Sequence, residues 1–240
     1  MALKTIHYKN QEFSVSYELV NSSKTKDFVV LHGWGSNKNL MKQSFSTTLP
    51  EFRHIYVDLP GFGKSTTEVT LTTQDYANII ELFLDELNSS KDIVLGHSFG
   101  GKVAVLLKPK LLVLVGSAGV VLPKPLGIKI KIALFKVLKN LGLAKFRSFF
   151  VAQDAQNLSQ HMYETFKNVV DEDFIPHFKN FPNKALLFWG KEDTATPLQA
   201  AKTIDSLLPN EHKLYLYDGD HYFFMQQSKE IAKEIEEFLK

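Results

Sequence analysis

Short apolar runs alternate along the chain with longer segments whose apolar residues recur at helical spacing. Runs of this length, bounded by turn residues, are typical of buried strands, and the longer segments predict amphipathic helices. The predicted strands cover residues 28–31, 54–58, 92–95, 111–115, 185–189 and 213–217, and the predicted helices cover residues 40–49, 74–88, 98–107, 198–207 and 228–239. This alternation predicts an α/β fold, with a mostly parallel sheet and helices on both of its faces.

Two further strands are predicted before the alternation begins. Residues 5–8 and 13–20 alternate in polarity, and a turn signal at residues 21–23 follows them, so we expect these two strands to pair in antiparallel fashion. In open parallel sheets, ligands bind at the carboxyl ends of the strands. Nearly every glycine cluster of this chain follows a predicted strand, so we expect a binding site at that edge.

One interval breaks the alternation. About 68 residues separate Gly116 from Lys184, far more than a simple crossover between parallel strands requires. The interval is helical in character and rich in aromatic residues. We therefore predict a core of residues 1–120 and 182–240, with residues 121–181 inserted as a helical lid over the strand ends.

The predicted lid carries an uneven share of the charge. Seven basic residues and no acidic residue lie between Val121 and Phe150. Subtracting these seven charges from the net charge of +2 leaves the rest of the chain at −5. Such a segment suits an acidic partner, an anionic substrate or an anionic membrane surface, but the same pattern is typical of the solvated face of an amphipathic helix. Both interpretations stay open.

Composition excludes several classes of protein. Apolar residues make up 44% and charged residues 22% of the chain, which is ordinary for a globular domain and argues against disorder. The absence of cysteine excludes disulfides, thiolate nucleophiles and cysteine-based metal sites. The N-terminus has no apolar core of signal-peptide length, and the longest uncharged apolar stretch, residues 111–122, is too short to cross a bilayer. We expect a soluble cytoplasmic protein without stable membrane insertion.

The most informative motif is Gly96-His97-Ser98-Phe99-Gly100, which lies between a predicted strand and a predicted helix. This arrangement is typical of a nucleophile elbow, a turn so tight that the residues two before and two after the serine must lack a Cβ atom. The turn presents the serine hydroxyl at the N-terminus of a helix, whose dipole favours negative charge. Ser98 is therefore the candidate nucleophile.

An elbow serine requires a base, because its hydroxyl is a weak nucleophile at neutral pH, and the base requires an orienting acid. His221 is the candidate base, since it follows the last predicted strand. Asp193 is the candidate acid, because it lies on the loop after the preceding strand. A helix that Thr196 and Pro197 are expected to cap begins just beyond it.

Three other carboxylates compete with Asp193 for the role of the acid. Glu192 is adjacent to Asp193, but a shift of one residue directs a side chain elsewhere. Asp218 and Asp220 are nearer to His221 along the chain, but side chains that follow one another on a single loop generally diverge. The chain order Ser98, Asp193, His221 is the order found in the α/β-hydrolase triad.

A serine that attacks a carbonyl also needs donors for the oxyanion that develops. The backbone N–H of Phe99, at the start of the predicted helix, is one candidate. The N–H of Trp34 is the second, since it lies in the loop His32-Gly33-Trp34-Gly35 after a predicted strand. We expect His32 and Gly33 to shape this loop, and Gly96 and Gly100 to shape the elbow. The chemistry requires no metal and no cofactor.

The chain resembles the α/β-hydrolase superfamily in several motifs spread over almost its whole length. They are His32-Gly33-Trp34-Gly35, Asp58-Leu59-Pro60-Gly61-Phe62-Gly63-Lys64-Ser65, Gly96-His97-Ser98-Phe99-Gly100-Gly101, the Asp193 loop and Gly219-Asp220-His221. Within that superfamily it looks most like small lidded esterases and meta-cleavage-product C–C hydrolases. The resemblance implies that residues 58–65 are a structural loop rather than a nucleotide site.

These observations predict a serine hydrolase that forms an acyl-enzyme intermediate, with a small-molecule carboxylic ester carrying a small to medium apolar acyl group as substrate. One alternative is a C–C hydrolase, although many of those carry Asn and Trp where this chain has His97 and Tyr222. Others are a thioesterase or acyl-carrier-protein ester esterase, and a non-enzymatic ligand-binding protein on the same fold. We expect no nucleic-acid partner.

Overall fold

The computed structural model describes residues 2–122 and 158–240. Its strands are β1 (Ala2–Tyr8), β2 (Gln11–Val20), β3 (Lys26–Leu31), β4 (Phe52–Val57), β5 (Ile93–His97), β6 (Leu111–Val115), β7 (Lys184–Gly190) and β8 (His212–Tyr217). Its helices are α1 (Lys38–Phe45), α2 (Thr73–Glu86), α3 (Phe99–Leu106), α4 (Gln160–Val170), α5 (Ile175–Lys179), α6 (Leu198–Leu207) and α7 (Phe224–Phe238).

The described strands form a single sheet in the order β1-β2-β4-β3-β5-β6-β7-β8. From β4 through β8 every neighbouring pair is parallel, whereas β2 is antiparallel to both β1 and β4. The expected α/β fold with a mostly parallel sheet is therefore confirmed. The order reverses around β3, so that β5, which carries the Gly-x-Ser-x-Gly motif, lies at the centre of the sheet.

The hairpin of β1 and β2 closes more tightly than the sequence pattern suggested. Tyr8 pairs with Gln11, and the two residues between them, Lys9 and Asn10, have φ angles of 48° and 61°. Two consecutive residues of positive φ are the signature of the hairpin turn that matches the twist of antiparallel strands. The second strand therefore begins at Gln11 rather than at residue 13.

The central strands are covered on both faces. Every residue of β5 and β6 is buried. Alternate residues of β3 enter different apolar clusters, because Val29 and Leu31 face one layer of helices while Phe28 and Val30 face the other. This double burial explains why these strands appear in the sequence as continuous apolar runs.

Two helix bounds differ from the predicted ones for local reasons. The side chain of Asn37 accepts a hydrogen bond from the Asn39 N–H, so α1 begins at Lys38. The last helix, α7, begins at Phe224 and contains a kink at Gln227, where φ is −103° and ψ is 17°. The helical spacing of apolar residues does not continue across this kink, so the sequence predicts only the part of α7 from residue 228 onward.

The predicted lid is described only in part. Residues 123–157, which include most of the basic stretch, lie outside the described residues. Residues 158–181 contain α4 and α5 and place Met162, Phe174, Phe178 and Phe181 in the apolar cluster on one face of the sheet. Within the described ranges no helix is long and apolar enough to span a membrane.

Candidate active site

A cavity of about 480 Å³ lies at the carboxyl ends of the parallel strands. It is lined on one side by loops of the sheet, which contribute Ser98 and His221. Its other side is formed by apolar side chains of α4, namely Phe166, Val169 and Val170. The sheet edge predicted for a ligand therefore carries a cavity that contains the candidate nucleophile and base together.

Ser98 joins β5 to α3 in a strained conformation. Its φ is 52° and its ψ is −117°, a region that residues with a side chain rarely adopt. A Cβ atom on Gly96 would lie 2.3 Å from the backbone oxygen of Gly100, and one on Gly100 would lie 2.6 Å from the backbone oxygen of His32. The turn is thus tight enough to exclude a side chain at either flanking glycine.

Asp193 and His221 form a direct pair. Nδ1 of His221 lies 2.7 Å from Oδ2 of Asp193. Oδ1 of Asp193 accepts hydrogen bonds from the backbone N–H groups of Ala195 and Thr196, at 2.9 and 2.8 Å. Because the imidazole faces Asp193 through Nδ1, Nε2 is the ring nitrogen available for chemistry in the cavity.

The carboxyl group of Asp193 is buried, yet its charged form is favoured. Burial alone would raise the pKa of Asp193, but the hydrogen bonds from His221 and Thr196 outweigh burial and hold this pKa below its usual value. An ionised carboxylate at this position accepts a hydrogen bond from the Nδ1–H of His221, and this fixes the tautomer of the ring.

Thr196 is a partner of Asp193 that the sequence analysis described only as part of a helix cap. Its Oγ1 lies 2.8 Å from Oδ2 of Asp193 and 3.0 Å from the backbone oxygen of Gly116. The backbone oxygen of Thr196 also accepts a hydrogen bond of 2.7 Å from Nε1 of Trp189. The N-cap of α6 is Pro197. Thr196 therefore belongs to the loop after β7 that carries Asp193, and not to the helix cap.

Gly116 allows Asp193 and His221 to approach the end of β6. Its φ is 49°, and a Cβ atom there would lie 3.1 Å from Oδ2 of Asp193 and 3.3 Å from Nδ1 of His221. Any side chain at this position would crowd the hydrogen bond between the two residues.

The three alternative acids have other partners. Glu192 accepts a hydrogen bond from the backbone N–H of Gly219. Asp218 pairs with Lys191 at 2.6 Å, and its side chain is 86% exposed. Asp220 accepts from the backbone N–H of Tyr222 at 2.8 Å.

Hydrogen bonds of the His32 side chain stabilise the loop after β3. Nδ1 of His32 donates to the backbone oxygen of Gly33 at 2.7 Å, and Nε2 accepts from the N–H of Leu59 at 3.0 Å. Burial lowers the pKa of His32 to about 4, so the ring stays neutral and can both donate and accept. The next residue, Trp34, packs its ring against Phe99 at 5.6 Å and lines the cavity.

Lys102 is a buried cation that the sequence analysis did not single out. It lies one helical turn after Ser98, and its Nζ donates to the backbone oxygen of Val169 at 2.6 Å and pairs with Glu172 at 3.1 Å. Burial lowers the pKa of Lys102, and Glu172 opposes that effect. The ammonium group therefore ties the C-terminal turn of α4, which lines the cavity, to α3. Within residues 2–122 and 158–240, no group of three or more potential metal ligands converges.

Comparison with known proteins now decides the family. The model of the "Alpha/beta hydrolase family" matches residues 28–234. The chain belongs to this family. The match covers most of this alpha/beta hydrolase and is not confined to the motifs.

Three proteins illustrate the relatives of this alpha/beta hydrolase. A pimeloyl-[acyl-carrier protein] methyl ester esterase of Vibrio campbellii is 24% identical, over 88% of this chain and 94% of its own length. A 2-hydroxy-6-oxononadienedioate/2-hydroxy-6-oxononatrienedioate hydrolase of Pseudomonas putida is also 24% identical, over 88% of this chain and 87% of its own. The solved structure of an esterase from Exiguobacterium antarcticum superposes with a TM-score of 0.75 at 21% identity, covering 98% of both chains.

Proposed function

We propose that this alpha/beta hydrolase cleaves carboxylic esters of small to medium apolar acyl groups through an acyl-enzyme intermediate on Ser98. The observation that carries the proposal is the 2.7 Å pairing of Asp193 with His221 beside the cavity that Ser98 lines. A nucleophile in a strained elbow, a base and an orienting acid are the parts that acyl transfer requires.

In the first half-reaction, Oγ of Ser98 attacks the ester carbonyl carbon while Nε2 of His221 takes the hydroxyl proton. The tetrahedral intermediate collapses as the C–O bond to the alcohol breaks, and His221 returns the proton to the departing oxygen. In the second half-reaction a water molecule attacks the acyl group with the same proton transfers, and this releases the acid and free Ser98. Asp193 holds the imidazole and stabilises its charged form without taking the proton.

The backbone N–H groups of Trp34 and Phe99 are the proposed oxyanion donors. Support for Phe99 is its place as the first residue of α3, where the N–H has no partner within the helix. Support for Trp34 is its place in the loop that His32 braces and on the cavity wall. Gly33, Gly96 and Gly100 are proposed to serve the same geometry by letting the loop and the elbow approach each other closely.

The lining of the cavity supports the proposed substrate class. Phe166, Val169 and Val170 of α4 form an apolar wall of the cavity. Trp34, which also lines the cavity, extends this wall through ring contacts with Phe166 and Phe99. Transfer of an acyl chain from water onto such a wall is favourable in proportion to the apolar area buried. A thioester with the same acyl group presents the same carbonyl chemistry and belongs to the same proposal.

A C–C hydrolase is the second candidate, and the likeness to the Pseudomonas putida enzyme favours it. A panel of p-nitrophenyl esters of increasing acyl length, run beside a vinylogous diketo acid of the ring-fission type, separates the two candidates. We expect turnover of the esters that is lost in Ser98→Ala. Cleavage of the diketo acid without ester turnover would replace the proposed function with the second candidate.

A further inference from the structure

His97 carries a polar ring in a position where almost all of it is buried. It is the last residue of β5, and it is 1% exposed. Its Nε2 lies 3.1 Å from the backbone oxygen of His221. Because a carbonyl oxygen only accepts, Nε2 carries the proton of the ring and donates it to this bond.

The second nitrogen of the same ring is buried as well. Nδ1 of His97 is buried without a partner among the described residues. Its neighbour is the loop after β3, since a Cβ atom on Gly33 would lie 3.0 Å from this nitrogen and 3.0 Å from Cβ of Ser98. The ring therefore fills the space between the loop that bears Trp34 and the loop that bears His221.

Packing alone does not account for a histidine at this position. The ring contacts His221 and Phe224, with centroid distances of 4.6 and 4.7 Å, and an apolar side chain would make similar contacts. Such a side chain would also avoid leaving a buried acceptor unpaired, which costs stability. What the histidine adds is the N–H that reaches the main chain of His221.

We propose that His97 is a positioning residue, whose Nε2–H holds the main chain of His221 at a fixed distance from Ser98. The inference rests on the function proposed above. Asp193 fixes the ring of His221, and His97 fixes its backbone, so the base is held at two points. Because His97 immediately precedes Ser98, a single hydrogen bond connects the end of the nucleophile's strand to the loop of the base.

The ring of His97 stays neutral in the folded protein. Burial lowers the pKa of His97 to about 3, and the His221 ring adds to that effect. The other charged or titratable groups that act on it are Asp193, which favours protonation, and His32, which opposes it. A ring with a pKa this low is a weak base, so His97 does not compete with His221 for the proton that leaves Ser98.

A matched pair of variants tests the role of this N–H. Gln and Met are both unbranched and similar in length, but only the Gln amide donates a hydrogen bond near the position of Nε2. We expect His97→Met to lower kcat by about 10- to 100-fold, because a small displacement of a catalytic group has an effect of that size. We expect KM to change by less than about twofold, because His97 is not among the residues that line the cavity.

We expect His97→Gln to recover kcat to within about fivefold of the wild type, since it restores one hydrogen bond of ordinary strength. Equal losses of kcat in the two variants, or wild-type kcat in His97→Met, would overturn the positioning role. Wild-type turnover no greater than that of Ser98→Ala, with both proteins folded, counts instead against the proposed function.

A measurement without substrate tests the same contact independently of turnover. Nitrogen-15 NMR of the imidazole rings, taken from about pH 5 to pH 8, is expected to show His97 with a proton on Nε2 and none on Nδ1 throughout. The carbonyl carbon signal of His221 is expected to shift in His97→Met and to return toward the wild-type position in His97→Gln. A proton on Nδ1, or an unchanged carbonyl signal in His97→Met, would contradict the inference even in a protein without esterase activity.

Discussion

Oδ2 of Asp193 lies 2.7 Å from Nδ1 of His221, although 28 residues separate the two along the chain. The pair forms because β7 and β8 are parallel neighbours, so that the loops following them leave the sheet side by side. Thr196 and the backbone N–H of Ala195 hold the carboxylate, and Gly116 leaves room for the ring. The contact is thus a consequence of sheet topology, completed by a few local residues.

The first prediction concerns the charge of Asp193, the proposed acid. Asp193→Asn keeps the size of the side chain, but its amide can present an N–H to Nδ1 of His221 and so favour the wrong tautomer of the ring. We expect kcat for a p-nitrophenyl ester to fall by about 10³- to 10⁴-fold, the effect of such a change in a serine triad. Steady-state kinetics of the purified variant measure it.

Asp218→Asn is the matched control for this prediction. The chemical change is the same, but Asp218 is 86% exposed and pairs with Lys191. Its effect on kcat is expected to be less than about threefold, as for most exposed ion pairs. If kcat fell strongly in Asp218→Asn and only slightly in Asp193→Asn, the assignment of the acid to Asp193 would be wrong.

The second prediction concerns Thr196. Thr196→Val replaces the hydroxyl with a methyl group of similar size, and this removes the contacts of 2.8 Å to Asp193 and 3.0 Å to the Gly116 oxygen. We expect kcat to fall by about tenfold, corresponding to about one hydrogen bond to a charged group. Thr196→Ser, which keeps the hydroxyl, is expected to recover most of kcat. Equal activity in Thr196→Val and the wild type would exclude a part for this hydroxyl.

The third prediction concerns the space around the elbow. A Cβ atom on Gly96 would lie 2.3 Å from a backbone oxygen, so Gly96→Ala forces the backbone to move. We expect the free energy of unfolding to fall by about 3 kcal/mol, the upper part of the range for overpacked sites, because the Cβ atom would meet backbone rather than a movable side chain. Urea denaturation followed by circular dichroism measures the change.

Gly35→Ala separates steric crowding from backbone strain. Gly35 has a φ of 71°, but no atom of the described residues lies within 4 Å of a Cβ atom placed on it. Only the cost of a positive φ remains, about 1–2 kcal/mol. If Gly35→Ala destabilises the protein as strongly as Gly96→Ala, the close packing at Gly96 is not the cause of the loss.

The fourth prediction concerns the dependence of stability on pH. Burial lowers the pKa of His32 to about 4 and that of His97 to about 3, so protons bind preferentially to the unfolded chain as the pH falls below about 6.5. The stabilisation is fully present above the unfolded pKa and is lost as the pH falls toward the folded pKa. Each ring is expected to lower the free energy of unfolding by about 2 kcal/mol between about pH 7 and pH 5.

Urea denaturation at these two pH values tests the fourth prediction. His97→Gln removes one of the two rings, so the difference in free energy of unfolding between the two pH values should shrink by about 2 kcal/mol in that variant. A wild-type protein that is equally stable at both pH values would show that these rings are not held neutral in the folded state.

The parts of the site that follow from topology could be predicted from the sequence. Ser98 is marked by its flanking glycines, and Asp193 and His221 are marked by their places after the last two strands. The rule that loops at the carboxyl ends of parallel strands converge selects the loop after β7. The choice of Asp193 over the adjacent Glu192 on that loop rested instead on the different directions of neighbouring side chains.

The parts that depend on packing could not be predicted. The role of Thr196 depends on a hydroxyl that reaches the end of β6, 80 residues away along the chain, and no local pattern encodes that distance. Lys102 appeared as a polar residue within a helix, although its ammonium group is buried against the end of α4. For His97 the sequence did offer a signal. A polar residue at the end of a fully buried strand requires a hydrogen-bond partner, so its position predicts a contact with another part of the chain.

Covalent labelling of Ser98 by a fluorophosphonate tests the central claim most directly. The probe reports on a serine whose hydroxyl is activated by a base, and it needs no knowledge of the natural substrate. Intact-mass and peptide mass spectrometry are expected to find one adduct, on the peptide that contains Ser98, and none in a folded Ser98→Ala variant. A folded wild-type protein that remains unlabelled, or an adduct that persists in Ser98→Ala, would contradict the account.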